Sequence, residues 1–247
     1  ELIHQVLESR IKQKEAELRN LKLQVRPHFL YNNLEAIRAL AEIGDKKGIA
    51  DITSALGGML RYSLNNQHTY VTLADEIQQT KNYLKIEQIR SGHELQFQFD
   101  LDEKLLRCYT IPFLLQPVVE NCIIHGLAQV MKEKYISIVL QEEKDDNSII
   151  IMISDNGAGM SEEKLAELNA CLADENESLS FAQSGIGLKN LQSRLRLEYG
   201  SRYGLTVSGK SGKGLTVKIR IPKMMVPLPE TMMERKGSDH AFARSGR

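Results

Sequence analysis

Four short stretches hold residues whose types and spacing could do chemistry. In "RPHFLYNN", His28 follows Pro27, and a neutral imidazole nitrogen is a nucleophile able to attack phosphorus. An unperturbed imidazole titrates near about 6.5, so most of it is neutral close to pH 7. Asn32 lies one helical turn further on and faces the same side. In "VVENCIIHG", Asn121 and His125 are one turn apart with Glu120 beside them, which offers an amide to a cation. In "SDNGAGM", Asp155 ends an apolar run and is followed by Gly157 and Gly159, a carboxylate beside backbone that a ligand can approach closely. In "SGIGLKN", Gly185 and Gly187 lead straight into a helix, where free N–H groups and the dipole favour an anion. Each stretch has a plainer explanation by itself. His28 continues an apolar seam, an Asn–His pair is common on solvated helices, and spaced glycines serve turns and loops. The order is what matters: an amide for a cation, a carboxylate for a purine edge, then a glycine helix start for phosphates. No GxxxxGK[ST] stretch offers another phosphate device.

The elements that must position these residues follow from periodicity. Leu7, Ile11, Lys14, Leu18, Leu21 and Val25 step by four and three, with His28 next in the series. That spacing is a coiled-coil seam with Lys14 as its polar interruption, and it predicts a dimerising helix. Pro27 removes one helical hydrogen bond and predicts a kink. Periodicity resumes through Leu30, Leu34, Ile37 and Ala41 and fades at "EIGDKKG". A second helical stretch is predicted from about Ile49 to Ile89, with a softer break near "NNQHTYVT" and a helix start at Thr72, Asp75 and Glu76. Two long helices joined by a short turn make a hairpin, and two hairpins make a four-helix dimer. At "SGHELQFQFDLD" the period becomes two, so the unit boundary is expected near Ser91–Gly92. Strands are then predicted at "LQFQF", "YISIVLQEE", "SIIIMISD", "YGLTVSG" and "GLTVKIRIP". Helices are predicted around "LLQPVVENCIIHGL", "SEEKLAELNACL" and "IGLKNLQSRLRLEYG". Beyond Pro222 the chain turns proline-rich and polar, packs nothing by pattern, and is read as a disordered tail or cloning residue.

Composition narrows the classes. The 247 residues carry 32 basic and 32 acidic side chains, so no global charge draws the chain to nucleic acid or an anionic membrane. Direct nucleic-acid binding is not expected. Cys108, Cys122 and Cys171 have neither paired spacing nor a CxxC, and read as buried small residues rather than a disulfide or zinc framework. No apolar run approaches the ~20 residues of a membrane helix. The chain opens at Glu1 inside a helical pattern, so it is read as a fragment whose missing N-terminal part could hold membrane spans.

Taken together, "ENCIIHG", "DNGAGM" and "GIGLKNL" resemble the N, G1 and G2 boxes of the ATP-binding domain shared by histidine kinases, gyrase, a heat-shock chaperone family and mismatch-repair ATPases. "RPHFLYNNLEAI", "LGGMLRYSL" and "VTLADEIQQTKNYLKIEQIR" resemble the dimerisation and phosphotransfer region of LytS/YesM-type sensor histidine kinases, and the likeness runs over roughly residues 20 to 222. The resemblance implies an α+β fold: an N-terminal helical hairpin forming a dimeric four-helix bundle, then a Bergerat-type α/β sandwich ATP-binding domain. The corresponding limits are a coiled-coil linker at 1–24, the hairpin at 25–91, the ATP-binding domain at 92–223 and a tail at 224–247. It implies that His28 accepts the γ-phosphoryl group of ATP and passes it to an Asp of a response regulator, of AraC type by the YesM-like wording. It also implies that Asn121 holds Mg²⁺ on the phosphates, that Asp155 takes the adenine amino group, and that Gly157 and Gly159 admit the base. Gly185 and Gly187 would shape the hinge of a lid running from Ala173 to Ser184, with His125 and Leu188 completing the nucleotide-contacting set. Asn32 would position water for dephosphorylating the partner.

Some positions depart from the family pattern. Phe29 follows the phosphoacceptor where many histidine kinases have an acid, which leaves Glu120 as a candidate base only through its nearness to Asn121. Pro117 stands where an Asn or Glu is frequent, and Leu215 where a Thr is frequent, with Thr216 next to it. Two other readings compete with the kinase. One is a dimeric nucleotide-binding signalling module with little kinase activity, and the other an ATPase of the same fold without phosphotransfer.

Overall fold

The computed structural model describes residues 27–65, 69–128, 130–131, 133–144, 146–173 and 186–227. The expected coiled-coil linker, the chain on the upstream side of the Pro27 kink, the lid beyond Ala173, Gly185 and the tail beyond 227 lie outside the described residues. The chain divides into two compact units, one formed up to residue 67 and by 78–95, the other by 68–77 and from 96 onward.

The first unit is helical. Helix α1 spans Pro27–Glu42 and helix α2 spans Lys46–Asn65. Between them Gly44 takes a φ of 75°, and the Asp45 N–H donates 2.9 Å to the Leu40 carbonyl. Asp45 Oδ1 accepts from the Gly48 N–H at 2.9 Å and starts α2. Helix α3 spans Leu73–Arg90, and its later turns belong to this unit. The unit's core holds Ile52, Ala55 and Met59 from α2 with Tyr83, Leu84 and Ile86 from α3. Phe29 of α1 stacks on Tyr83 with ring centroids 5.9 Å apart. A Cβ on Gly58 would lie 2.5 Å from the Asn82 amide nitrogen, so Asn82 of α3 packs over this glycine of α2.

The predicted stretch from Ile49 to Ile89 is therefore two helices. Strand β1, Val71–Thr72, lies between them, where the Thr72 side chain and N–H engage Asp75 and the Asp75 N–H returns to Thr72 Oγ1 at 3.2 Å. That reciprocal cap starts a new helix rather than continuing the old one.

In the second unit strand β2, Leu95–Leu101, is followed by a short 3₁₀ turn at Glu103–Arg107. Strand β3, Tyr109–Thr110, pairs antiparallel with β1. Helix α4, Gln116–Asn121, continues into a π-turn over Cys122–Gly126. Strands β4, Lys134–Glu143, and β5, Ser148–Asp155, form an antiparallel hairpin. Helix α5 spans Glu162–Ala173 and α6 spans Ile186–Tyr199; β6 at Gly204–Gly209 and β7 at Leu215–Pro222 end the order. The sheet runs β2-β4-β5-β7-β6, with β7 antiparallel to both β5 and β6. Ile149, Ile151 and Ile153 of β5, with Val217, Ile219 and Ile221 of β7, turn to one buried face, which also receives Leu188, Leu191 and Leu195 from α6.

Met224, where the tail is expected to begin, is packed into the second unit. Met224 is buried and its carbonyl accepts from the Tyr109 N–H at 2.8 Å, while Met225 Sδ lies 3.4 Å from Cys108 Sγ. A strand-like backbone bond and an apolar seat hold what a polar, proline-rich composition did not announce.

β6 is an edge strand, and side-chain amides satisfy its outer backbone groups. Asn169 of α5 donates 2.7 Å to the Val207 carbonyl and accepts 2.9 Å from the Val207 N–H, and Gln192 of α6 accepts from the Leu205 N–H at 2.6 Å. One amide thus does for Val207 what a sixth strand would do, and blunts the edge. Asn169→Ala is expected to lower stability by about 1–3 kcal/mol, because two half-buried backbone groups lose their partners. A lower urea midpoint at unchanged slope is the readout.

Candidate functional site

β5 carries Asp155 to the end of the central strand, where its residue exposure is 8 %. A buried carboxylate must be met by donors, and three are in place. The Gly157 N–H donates to Oδ1 at 2.8 Å, and the Cys122 thiol and the Leu215 N–H also donate to the carboxylate. Burial pushes the Asp155 carboxyl above its ordinary range, against these donors, which favour the ionised form. Burial, and then the adjacent Asp155 carboxylate, push the Cys122 thiol well up, so it stays a proton donor. Cys122 was read from sequence as a buried small residue, and it is also the contact that joins the "ENCIIHG" turn to the "DNGAGM" strand end.

The glycines make that junction possible. A Cβ on Gly126 would lie 2.9 Å from Asp155 Oδ1, and one on Gly157 would strike the Gly126 carbonyl, which accepts from the Ala158 N–H at 3.0 Å. Gly159 has a φ of 65° and abuts the Lys210 carbonyl. Gly214, with a φ of 82°, abuts the Asp155 carbonyl, so the 210–214 loop closes over the 155–159 loop. The π-turn brings Gly126 into this cluster, with the Leu127 N–H reaching the Cys122 carbonyl at 2.8 Å. Local departures from α geometry of this kind gather at functional sites.

Asn121 ends α4. Its Nδ2 is buried and has no hydrogen-bond partner among the described residues, and a Cβ on Gly187 would lie 3.6 Å from it. An orphaned buried amide donor facing a glycine in the first turn of a helix fits an anionic oxygen. The Oδ1 of the same amide is the hard oxygen that Mg²⁺ takes. Among the described residues no group of three or more His, Cys, Asp or Glu could hold a metal.

The structure brings Asn121, Asp155, Gly157, Gly159 and Gly187 into one unit. His125 is exposed at the end of the π-turn, and Leu188 is buried in the core. Glu120 is half-buried and its Oε1 accepts from Gln116 Nε2 at 2.9 Å. His28 and Asn32 lie on α1 in the other unit, with Asn32 half-buried; Asn33, beside it, is fully buried and donates 2.8 Å to the Phe29 carbonyl. Thr216 is bonded to the Ser154 hydroxyl at 2.8 Å, on the sheet face opposite Ile153 and Val217, and the Leu215 backbone serves Asp155 in its place.

One residue of this region escaped the pattern reading. Glu76 was taken as an acid in the first turn of its own helix, which it is, yet its carboxylate is buried and accepts from the N–H groups of Phe113, Leu114 and Leu115 at 2.6, 2.7 and 3.0 Å. No local spacing could signal it, because its partners lie 37 to 39 positions away.

The comparisons with known proteins bear on this geometry. Residues 16–95 match the family described as histidine kinase, and residues 111–225 match the histidine kinase-, DNA gyrase B- and HSP90-like ATPases. The sensor histidine kinase YesM of Bacillus subtilis is 32 % identical over 222 residues, 90 % of this chain and 36 % of that protein. The chain belongs to the LytS/YesM-type sensor histidine kinases. The sensor protein LytS of Staphylococcus haemolyticus is 30 % identical over 212 residues, 85 % of this chain and 34 % of that one. The sensor protein kinase HptS of Staphylococcus aureus is 27 % identical over 223 residues, 90 % of this chain and 41 % of that one. The chain thus spans 34 to 41 % of the length of these sensor kinases. The ATPase match at 111–225 falls wholly within the second unit.

A carboxyl whose folded-state value lies above its ordinary 3.8 stabilises the fold in its protonated form. That contribution is complete below the unfolded value and is lost as pH rises through the folded one. Asp155→Asn cannot ionise, so without nucleotide it should unfold at higher urea than the parent at pH 7. The gap should close as pH falls toward the ordinary carboxylate range, and unfolding curves at the two pH values provide the check.

Proposed function

We propose that the chain is the kinase core of a two-component sensor, in which His28 takes the γ-phosphoryl group of ATP and hands it to an aspartate of a response regulator. The observation that carries this reading is the orphaned Asn121 amide beside Gly187, in the same unit as the buried Asp155 carboxylate. One end suits phosphates and the other a purine amino group. Gly157 and Gly159 would leave room for the base and Gly187 would border the triphosphate, with Gly185, His125 and Leu188 assigned to the same set from the sequence. Asn121 would hold Mg²⁺ through Oδ1, and the bound ion supplies neutralisation of charge on the phosphate oxygens.

In the transfer, a nitrogen of neutral His28 forms the N–P bond while the bond from the γ-phosphorus to the ADP oxygen breaks. The imidazole releases a proton, and Glu120 is the candidate to receive it. Transfer to the regulator then breaks the N–P bond as an aspartate oxygen bonds to phosphorus. Asn32, one turn beyond His28, would position the water that later removes the phosphate.

We assign residues 25–91 to dimerisation and phosphotransfer and 92–223 to ATP binding. Tyr31 and Leu34 of α1 are 69 % and 58 % exposed in the single chain, as expected of a helix face covered by a second copy in a bundle. The partners are that second copy and a response regulator, of the AraC DNA-binding type. Among the described residues no helix is long and apolar enough to cross a membrane. We place this part on the cytoplasmic side of a membrane-anchored sensor.

Incubation with γ-labelled Mg-ATP is expected to label the parent chain with an acid-labile, base-stable phosphoramidate and to leave His28→Ala at background. Label persisting in His28→Ala would move the acceptor elsewhere and overturn this assignment. Tight ATP binding with no label on either protein would favour a nucleotide-binding signalling module.

A further inference from the structure

The loop before α4 is held by its backbone from two sides. The buried Glu76 carboxylate takes three successive N–H groups, those of Phe113, Leu114 and Leu115. Arg194 of α6 takes the opposite polarity, donating 2.6 Å to the Pro112 carbonyl and 3.5 Å to that of Phe113. Phe113 sits at a φ of 56°, a conformation a bulky residue keeps only where its surroundings impose it. Leu115 is the N-cap of α4 and has no side-chain cap of its own. A carboxylate from another helix therefore takes the N–H of the N-cap residue and those of the two residues before it, at the entry to a helix that is only six residues long.

Asn121 stands at the other end of that helix. A six-residue helix makes few backbone bonds of its own, so its position follows from what grips its ends. At the far end the grip is the π-turn and the Cys122–Asp155 contact; at the near end it is Glu76. Asp155 is fixed independently, by ladder pairing of β5 with both β4 and β7. α6, which brings Gly187 to Asn121, also carries the Arg194 that grips the same loop.

We infer that Glu76 is a positioning residue for the phosphate end of the nucleotide site: by capping α4 from outside, it sets where the Asn121 amide stands without setting where the Asp155 carboxylate stands. This rests on the assignment of Asn121 to the phosphates and Asp155 to the base. Glu76 also belongs to α3, the helix whose later turns form part of the helical unit. The residue that sets Asn121 is thus on a helix that contributes to both units.

The test compares two ligands on the intact chain. Mg-ATP reads both ends of the site, and adenosine reads the base end alone. Glu76→Gln is expected to weaken Mg-ATP binding at least about tenfold while adenosine affinity, followed by chemical-shift titration, stays within about twofold. Faster amide exchange at Leu114 and Leu115 should accompany the loss. A parallel loss of both ligands would make Glu76 a merely structural residue and overturn the inference, and so would unchanged Mg-ATP binding. If Glu76→Gln does not fold, Glu76→Asp, which shortens the reach but keeps the charge, carries the same comparison. A parent chain that binds Mg-ATP no better than adenosine would instead remove the underlying assignment of Asn121, and the inference with it.

Discussion

A carboxylate buried at the end of a central strand is unfavourable unless donors converge on it, and that requirement organises the second unit. Asp155 obliges Gly157 to turn its N–H inward and Gly126 to forgo a side chain. It obliges Cys122 to remain a thiol and Gly214 to pass close to its own carbonyl. The π-turn after Asn121 is the backbone form that reconciles these demands with a helix pointing its last amide toward Gly187. The pieces of the sequence that carry chemistry are thus joined through one side chain. The joint leaves the buried Asn121 Nδ2 without a partner among the described residues.

The arrangement explains an apparent contradiction in the local energetics. Burial holds the Asp155 carboxyl above its ordinary range, so the ionised group is a liability to the fold. A ligand that donates a hydrogen bond to it offsets that liability, and water or a mispaired group does so less well. Sites that recognise ligands keep such unsatisfied polarity, and the surrounding ladder of β4, β5 and β7 supplies the rigidity that tolerates it.

Much of this was legible in the sequence because the signals are local. Alternation marked β2, an apolar run marked β5, and the glycine spacing of "DNGAGM" and "GIGLKN" marked backbone that something must approach closely. Thr72 and Asp75 marked a helix start, which is also what divides the long helical stretch the periodicity suggested. The rest was illegible because its causes are distant. Glu76 reads as an ordinary first-turn acid until its partners appear 37 to 39 residues later. Asn169 reads as a surface residue of α5 until β6 arrives beside it. Met224 stands two residues after Pro222 in a proline-rich stretch with no periodicity, and the Tyr109 backbone shows what holds it. Lone polar residues on helices gave no hint of which backbone they would complete.

The central claim is that the Asp155 carboxylate reads the amino group of the purine. Titrating the intact chain with Mg-ATP and with Mg-inosine triphosphate, which carries an oxygen in place of that amino group, tests it most directly. The account predicts at least about tenfold tighter binding of ATP, and loss of that preference in Asp155→Asn. Equal affinity of the parent chain for the two nucleotides would contradict it.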